Sequence, residues 1–448
     1  MNTLLKSKAI LGYGIADAGQ ALIGTLIGFY QMYFFTDVMR LPLHYVVKLF
    51  LVTKILDSLC FPLFGMLVDR LVAQGGTYRR WLAWLILPFF VSSILLFAFD
   101  RAWDTPTRVI YTYGVVSVFV MISALLSVVY TGLVSAIATQ ASDRAKLSTI
   151  RFVFAFGAGT AGTFSIKYIV DYFGGKDGGG FYFVAFIFSV IAALALYITY
   201  ITTTERVRNQ REQPVAVLAA IPLLFKNTAF LAPLIATAFS GLFVTIKSQM
   251  TLYFITYVMK REDITNYLLT AGTLSCAAGV ALVGFFINRI DRKKLFMGLM
   301  ASNALFIGMI YFISHEDATL IIVCHCLNSL VGGACAPVIF SIYSDVVDYI
   351  DHSAGLRSPA LINSIAMLAG RLGNSLGMVV APLALAYFQY QPDAAQTAAA
   401  VNGISLMFTV IPACFALLSA AAMVIYKITN KQAEETAHQL SDVGMKLA

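Results

Sequence analysis

Apolar runs of about 20 residues follow one another along the whole chain, and nothing else in the sequence constrains its fold as strongly. A bilayer's hydrocarbon core of about 30 Å takes roughly 20 helical residues to cross. Runs of that length cover 10–35, 43–68, 81–98, 108–138, 150–171, 181–203, 228–258, 264–288, 295–313, 318–343, 360–390 and 398–427. In lipid each backbone polar group must be satisfied within its own segment, which makes such runs helices. Of the 448 residues 59% are hydrophobic and only 12% charged, with a mean hydropathy of +0.80, where a soluble domain has about half and a quarter. The expected class is an all-α integral membrane protein with twelve transmembrane helices.

Basic residues orient it. With both termini cytoplasmic, 20 of the 31 Lys and Arg fall on the cytoplasmic side, 6 on the other and 5 inside spans, the bias expected of an inner-membrane protein. That bias accounts for most of the +8 net charge, so no nucleic-acid partner is implied; the surroundings are membrane lipids. The first apolar run is too long for a signal-peptide core and contains Asp17, so it reads as a retained helix. The six cysteines lie in predicted spans, which suggests no disulfide framework. Cys324, His325 and Cys326 are adjacent and do not share a helix face, so no metal site is expected.

The longest polar break, 204–227, divides the spans six and six. The expected organisation is an N-terminal six-helix half (1–203), a cytoplasmic central loop (204–227), a C-terminal half (228–427) and a cytoplasmic tail (428–448). "GMLVDR" at 65–70 is echoed by "GFFINR" at 284–289, at the equivalent span of each half. Two such halves with the substrate between them is a transporter architecture.

Charges inside spans point to the pathway. An ionisable group at mid-membrane costs about 2.5–3.5 kcal/mol on insertion scales and usually faces the bundle interior. Asp17, Lys54, Asp57, Lys167, Lys247 and Arg371 lie in spans, and Arg151 opens one. Lys48 and Lys167 read as snorkelling to an interface; Asp57, Lys247 and Arg371 read as pathway residues. Lys54 and Asp57 share a helix face at i and i+3, so a local pair would lower the cost of both. Pro62, five residues on, removes a backbone donor. Tyr13, Phe29, Tyr30, Tyr33, Tyr130, Phe156 and Tyr253 are candidates for sugar stacking or for ordinary packing. Gly157, Gly159 and Gly162 read as close helix packing.

Several stretches resemble one family. "GYGIADAG" (12–19) with "YFFTDV" (33–38), "KILDSLCFPLFGMLVDR" (54–70), "KLSTIRFVFAF" (146–156), "YFITYVM" (253–259), "SDVVDYIDHSAGLRSPALINS" (344–364) and "YKITNKQAEETAHQL" (426–440) are similar, in this order, to the glycoside–pentoside–hexuronide:cation symporters. The resemblance implies the major facilitator fold and sugar uptake coupled to Na⁺, Li⁺ or H⁺, with no other cofactor and no catalysis. Asp57 matches the first acid of the family's cation site, with Lys54 beside it. The second acid's position is Phe61. One carboxylate and a phenyl ring suit a proton better than Na⁺, which wants several oxygens.

At the sugar site the resemblance implies carboxylates at the positions of Ala21 and Ser127. It implies the retained cation Arg151, with Arg371 in place of a lysine; Lys247 adds another cation, and Asp17 lies nearby on the first span. Loss of acids with retention of cations points to an acidic sugar, a uronide or oligogalacturonide, because a guanidinium holds a carboxylate through two parallel hydrogen bonds. Asp69, Arg70, Asp345, Asp348 and Arg357 read as a cytoplasmic gate. The expected function is secondary active import of an acidic glycoside with a cation, by a monomer. The alternatives are a neutral glycoside or pentoside symporter and an uncoupled facilitator. A sugar-sensing receptor would want a signalling domain. An enzyme would want a metal cluster, nucleophile–base motif or phosphate loop, and none is evident.

Overall fold

A computed structural model of the chain describes residues 7–430, apart from 101, 139–140, 176–178, 206–223, 288, 355–358 and 393, together with 432, 435 and 436. The expected central loop (204–227) and tail (428–448) lie mostly outside the described residues.

The first six helices are α1 (Ser7–Tyr33), α2 (Leu43–Ala73), α3 (Tyr78–Leu95), α4 (Thr105–Ile137), α5 (Ala141–Tyr172) and α6 (Gly180–Thr202). The rest are α7 (Thr228–Tyr253), α8 (Thr265–Val283), α9 (Arg292–Met309), α10 (Ala318–Ala354), α11 (Pro359–Tyr387), and α12 (Ala398–Phe408) with α13 (Val410–Ala422), which make one span interrupted at Thr409. Among the described residues, eleven segments are long and apolar enough to cross a membrane. α3, whose 18 residues begin Tyr78-Arg79-Arg80, is the twelfth.

Several helices start where a short polar side chain can take an orphan N–H. Thr77 accepts from Arg80 N at 3.3 Å, Asp104 from Thr107 N at 3.3 Å and Asp291 from Lys294 N at 3.3 Å. A hydrogen bond with the Thr107 side chain, ahead of the backbone one, holds the Asp104 carboxyl below its ordinary range.

The chain forms two compact units. The first comprises Met1–Gln210 with Arg261–Thr273 and Leu385–Gln396, and the second Arg211–Lys260, Leu274–Ala384 and Thr397–Ala448. In the first, α1 packs on α5 and α6, and α4 on α2 and α3; in the second, α9 packs on α10 and α13. Small residues let backbones meet in the second unit. A Cβ on Gly333 of α10 would collide with the Cys276 carbonyl of α8, and one on Gly373 of α11 with the Ala238 carbonyl of α7. The expectation for α5 holds less well. A Cβ on Gly157 would meet nothing within 4 Å, and only Gly162, 3.2 Å from Leu22, is tight.

α1 and α7 end alike. Each passes into a π-helical turn, Phe34–Val38 and Phe254–Met259. Each turn is followed by a basic residue in the left-handed region, Arg40 at φ 54° and Lys260 at φ 53°. The resemblance drew on both segments, "YFFTDV" and "YFITYVM", and the structure shows them as one device used twice. The echo at 65–70 and 284–289 is not matched in structure: α2 runs on through Arg70 to Ala73, whereas α8 ends at Val283 and turns follow. Nor does Pro62 interrupt α2.

Candidate functional site

In the first unit, Gly14 brings α5 against α1: a Cβ there would lie 2.9 Å from Ile150. Arg151, the next residue, thereby faces Asp17. Arg151 Nε donates to Asp17 Oδ2 in a short ion pair, and a terminal nitrogen reaches Oδ1 at 3.4 Å. Tyr130 of α4 completes the cluster. Its one hydroxyl proton is shared between Asp17 Oδ2 at 3.0 Å and the Tyr13 carbonyl at 2.6 Å. Tyr13 returns a bond to the Tyr130 carbonyl at 3.0 Å. The two rings stack at 4.5 Å, and the Arg151 guanidinium lies 4.7 Å from the Tyr130 ring centre, within cation–π reach. Tyr13 and Tyr130 therefore pack on each other and on the arginine. Ser127 is half-buried, one turn before Tyr130 and on its face of α4.

On α2, Lys54, Asp57 and Phe61 are all half-buried. Phe61 sits one turn beyond Asp57, on the same face. Lys167 lies 3.1 Å from Asp171, one turn on along α5, a local neutralisation in place of simple snorkelling.

In the second unit, the part-buried Lys247 of α7 donates to Asn328 Oδ1 in a short bond and to Ser329 Oγ at 3.3 Å. Asn328 is fully buried. It spends its own amide protons on the Asn303 carbonyl and side-chain oxygen, both at 3.0 Å, which turns its oxygen toward the lysine. Among the described residues, the hydrogen-bond partners of Lys247 are neutral. Arg371 is half-buried on α11, within the Gly370–Gly373 segment that meets α7.

The residues expected at the gate divide. Asp345 of α10, with only 13% of its side chain exposed, forms a short ion pair with Arg292 at the start of α9. About 27 residues into α10, at 1.5 Å each, it lies about 40 Å from the helix start, beyond a bilayer core of roughly 30 Å. Lys293 donates to the Val424 and Tyr426 carbonyls at 2.9 and 2.6 Å, and burial pushes the Tyr426 phenol up. Asp348 is half-buried and Arg70 exposed. Arg357 and the Asp69 side chain lie outside the described residues.

Asn303, Asn328 and the Arg292 pairing were missed by sequence reasoning. The amides had a signal, since "MASNAL" and "CLNSL" put Asn inside apolar runs.

Residues 12–430 match the family described as MFS/sugar transport protein. The chain is 27% identical to the isoprimeverose transporter of Lactiplantibacillus pentosus, covering 93% of this chain and 88% of the relative. It is 22% identical to a glucuronide carrier protein homolog of Escherichia coli K12, over 99% and 97%. A solved structure of a D-xylose–proton symporter superposes with a TM-score of 0.65 at 15% identity, covering 93% of this chain and 95% of that one, which shows the fold.

Proposed function

The chain belongs to the MFS/sugar transport family of multi-pass membrane transporters, and from that premise we propose that it imports an acidic glycoside, a uronide, together with a proton. Sugar–cation symport is the family's activity. The acidic cargo rests on Lys247. A cation held within a membrane span by neutral amide and hydroxyl oxygens is costly unless an anion visits it. A uronide carboxylate is that anion, and Asn328, locked by Asn303, holds the ammonium ready for it. The relative called a glucuronide carrier homolog supports the same class.

In this reading Arg151 and Arg371 serve the cargo with Lys247, and Ser127 and Asp17 line the same pathway. Asp57 with Lys54 handles the coupling proton. The Arg292–Asp345 pair, Asp348, Asp69, Arg70 and Arg357 form the cytoplasmic gate. The protein is a monomer in the bacterial inner membrane, with both termini cytoplasmic and its two halves joined by 204–227. A neutral glycoside is the second reading. One observation favours it: Arg151 already has Asp17 as counter-charge.

The test is uptake into proteoliposomes of a labelled glucuronide against the matching neutral glucoside, with proton and Na⁺ gradients imposed separately. Glucuronide uptake driven by protons, falling at least tenfold in Lys247→Gln, Arg151→Gln and Arg371→Gln, is the expected result. Uptake of the glucoside alone would establish the second reading.

A further inference from the structure

The Asp17–Arg151 pair is neutral as it stands, and an arriving anion would upset that balance. Resting on the acidic-cargo reading above, we propose that Asp17 is a proton-binding group whose protonation hands Arg151 to the cargo's carboxylate, so that one proton enters the cluster with each anionic sugar.

The geometry supplies the competition. A guanidinium has five N–H donors, and Arg151 engages Asp17 through Nε and one terminal nitrogen. Among the described residues Asp17 is the carboxylate that pairs with Arg151, and 30% of the arginine side chain is exposed. A carboxylate can therefore dock at the remaining edge. Two anions would then share one cation in a site where Asp17 has 15% of its side chain exposed. Like charges so placed disfavour joint ionisation. A proton on Asp17 relieves this.

The balance is simple. The proton comes from water on the side the cargo enters and adds to an Asp17 carboxylate oxygen, while Arg151 keeps its charge. The pair goes from zero to +1 and the cargo returns the cluster to zero. No covalent bond between heavy atoms changes. By linkage, a proton that favours cargo is itself favoured by cargo to the same degree.

Among the described residues, no further carboxylate, amine or imidazole is hydrogen-bonded to the pair. α1 contributes the Tyr13 phenol, α4 the Tyr130 phenol and α5 Arg151 itself, and both phenols donate to oxygen acceptors. From α6, Thr199 bonds the Gly12 carbonyl at 2.6 Å, Tyr200 lies under Arg79, and Tyr182 and Tyr197 are exposed. Of the two acids of α5, Asp171 pairs with Lys167, and the Asp143 side chain lies outside the described residues.

The experiment is titration calorimetry of the purified full chain with D-glucuronate, and with methyl β-glucoside as its neutral counterpart. It is run in buffers of different ionisation enthalpy across a range of pH. Wild type should take up protons on binding D-glucuronate, and its affinity should fall about tenfold per pH unit above the midpoint. Asp17→Asn should take up one proton fewer, with a flatter pH profile. Tyr130→Phe removes a hydrogen bond that favours the charged carboxylate, and should move the midpoint to higher pH. This holds the proposal open to refutation even if Asp17→Asn does not fold. D-glucuronate binding with the same proton uptake in Asp17→Asn, or with an unmoved midpoint in Tyr130→Phe, overturns the inference and leaves the cargo reading standing. Binding of the glucoside and not of D-glucuronate overturns both.

Discussion

Phe61 stands one helical turn beyond Asp57 on the half-buried face of α2, where a second carboxylate would complete a hard-cation site. Sodium wants several oxygen ligands, and one carboxylate is a poor cage; a proton needs one acceptor. Uptake by the wild type should therefore be indifferent to Na⁺. Phe61→Asp places two carboxylates at i and i+4. It should make uptake rise severalfold with added Na⁺, measured in proteoliposomes at fixed pH; an unchanged Na⁺ response would mean that α2 does not hold the coupling site. That prediction needs only the sequence, because both positions lie on one helix. The Asp17–Arg151 pair does not work that way. Each residue was recognisable as a charge at a span, but the partners are 134 positions apart. A charge count records Arg151 as a surplus cation, whereas the structure shows it balanced. Lys247 is the converse: that its partners among the described residues are neutral becomes visible only with Asn328 and Ser329 in place.

Helix positions were legible because lipid demands long apolar runs, but the runs at 81, 108 and 295 begin three residues inside helices that Thr77, Asp104 and Asp291 cap. Where an element is polar the run misleads. α5 begins at Ala141, well before the apolar run at 150, because its first turns read "ASDRAKLST". The interruption at Thr409 had a signal: Pro412 has no N–H to give the Phe408 carbonyl, and the helix resumes with Ala413 N bonding the Thr409 carbonyl at 3.1 Å. Close packing was not legible, since every glycine looks alike in a sequence. Gly333 meets the α8 backbone, while Gly298 of α9 has nothing within 4 Å of a Cβ. Gly333→Leu should cost about 1–3 kcal/mol or more by forcing α8 and α10 apart. Gly298→Ala should gain up to about 1 kcal/mol by removing a helix-interior glycine. Thermal unfolding in detergent should lower the midpoint of the first and leave or raise that of the second; equal effects would mean the α8–α10 contact is not tight.

At the scale of the whole molecule, the charge carried per turnover decides what can drive it. A uronide brings −1, and a proton at Asp17 cancels it. Import with that proton alone would be electroneutral and would answer only to a pH difference. A second proton, on Asp57 as proposed, would make each turnover move one net positive charge inward. Moving one charge through 100 mV is worth about 2.3 kcal/mol, which at 1.4 kcal/mol per tenfold is about 40-fold accumulation. A potassium diffusion potential, negative inside and with no pH difference, should then suffice to concentrate a glucuronide in wild-type proteoliposomes. In Asp57→Asn the same potential should do nothing, while a pH gradient should still drive uptake through the Asp17 proton. If the potential drives Asp57→Asn as well as wild type, the proton that supplies the drive does not ride on Asp57. If it drives neither, import is electroneutral and a single carboxylate serves both cargo and coupling.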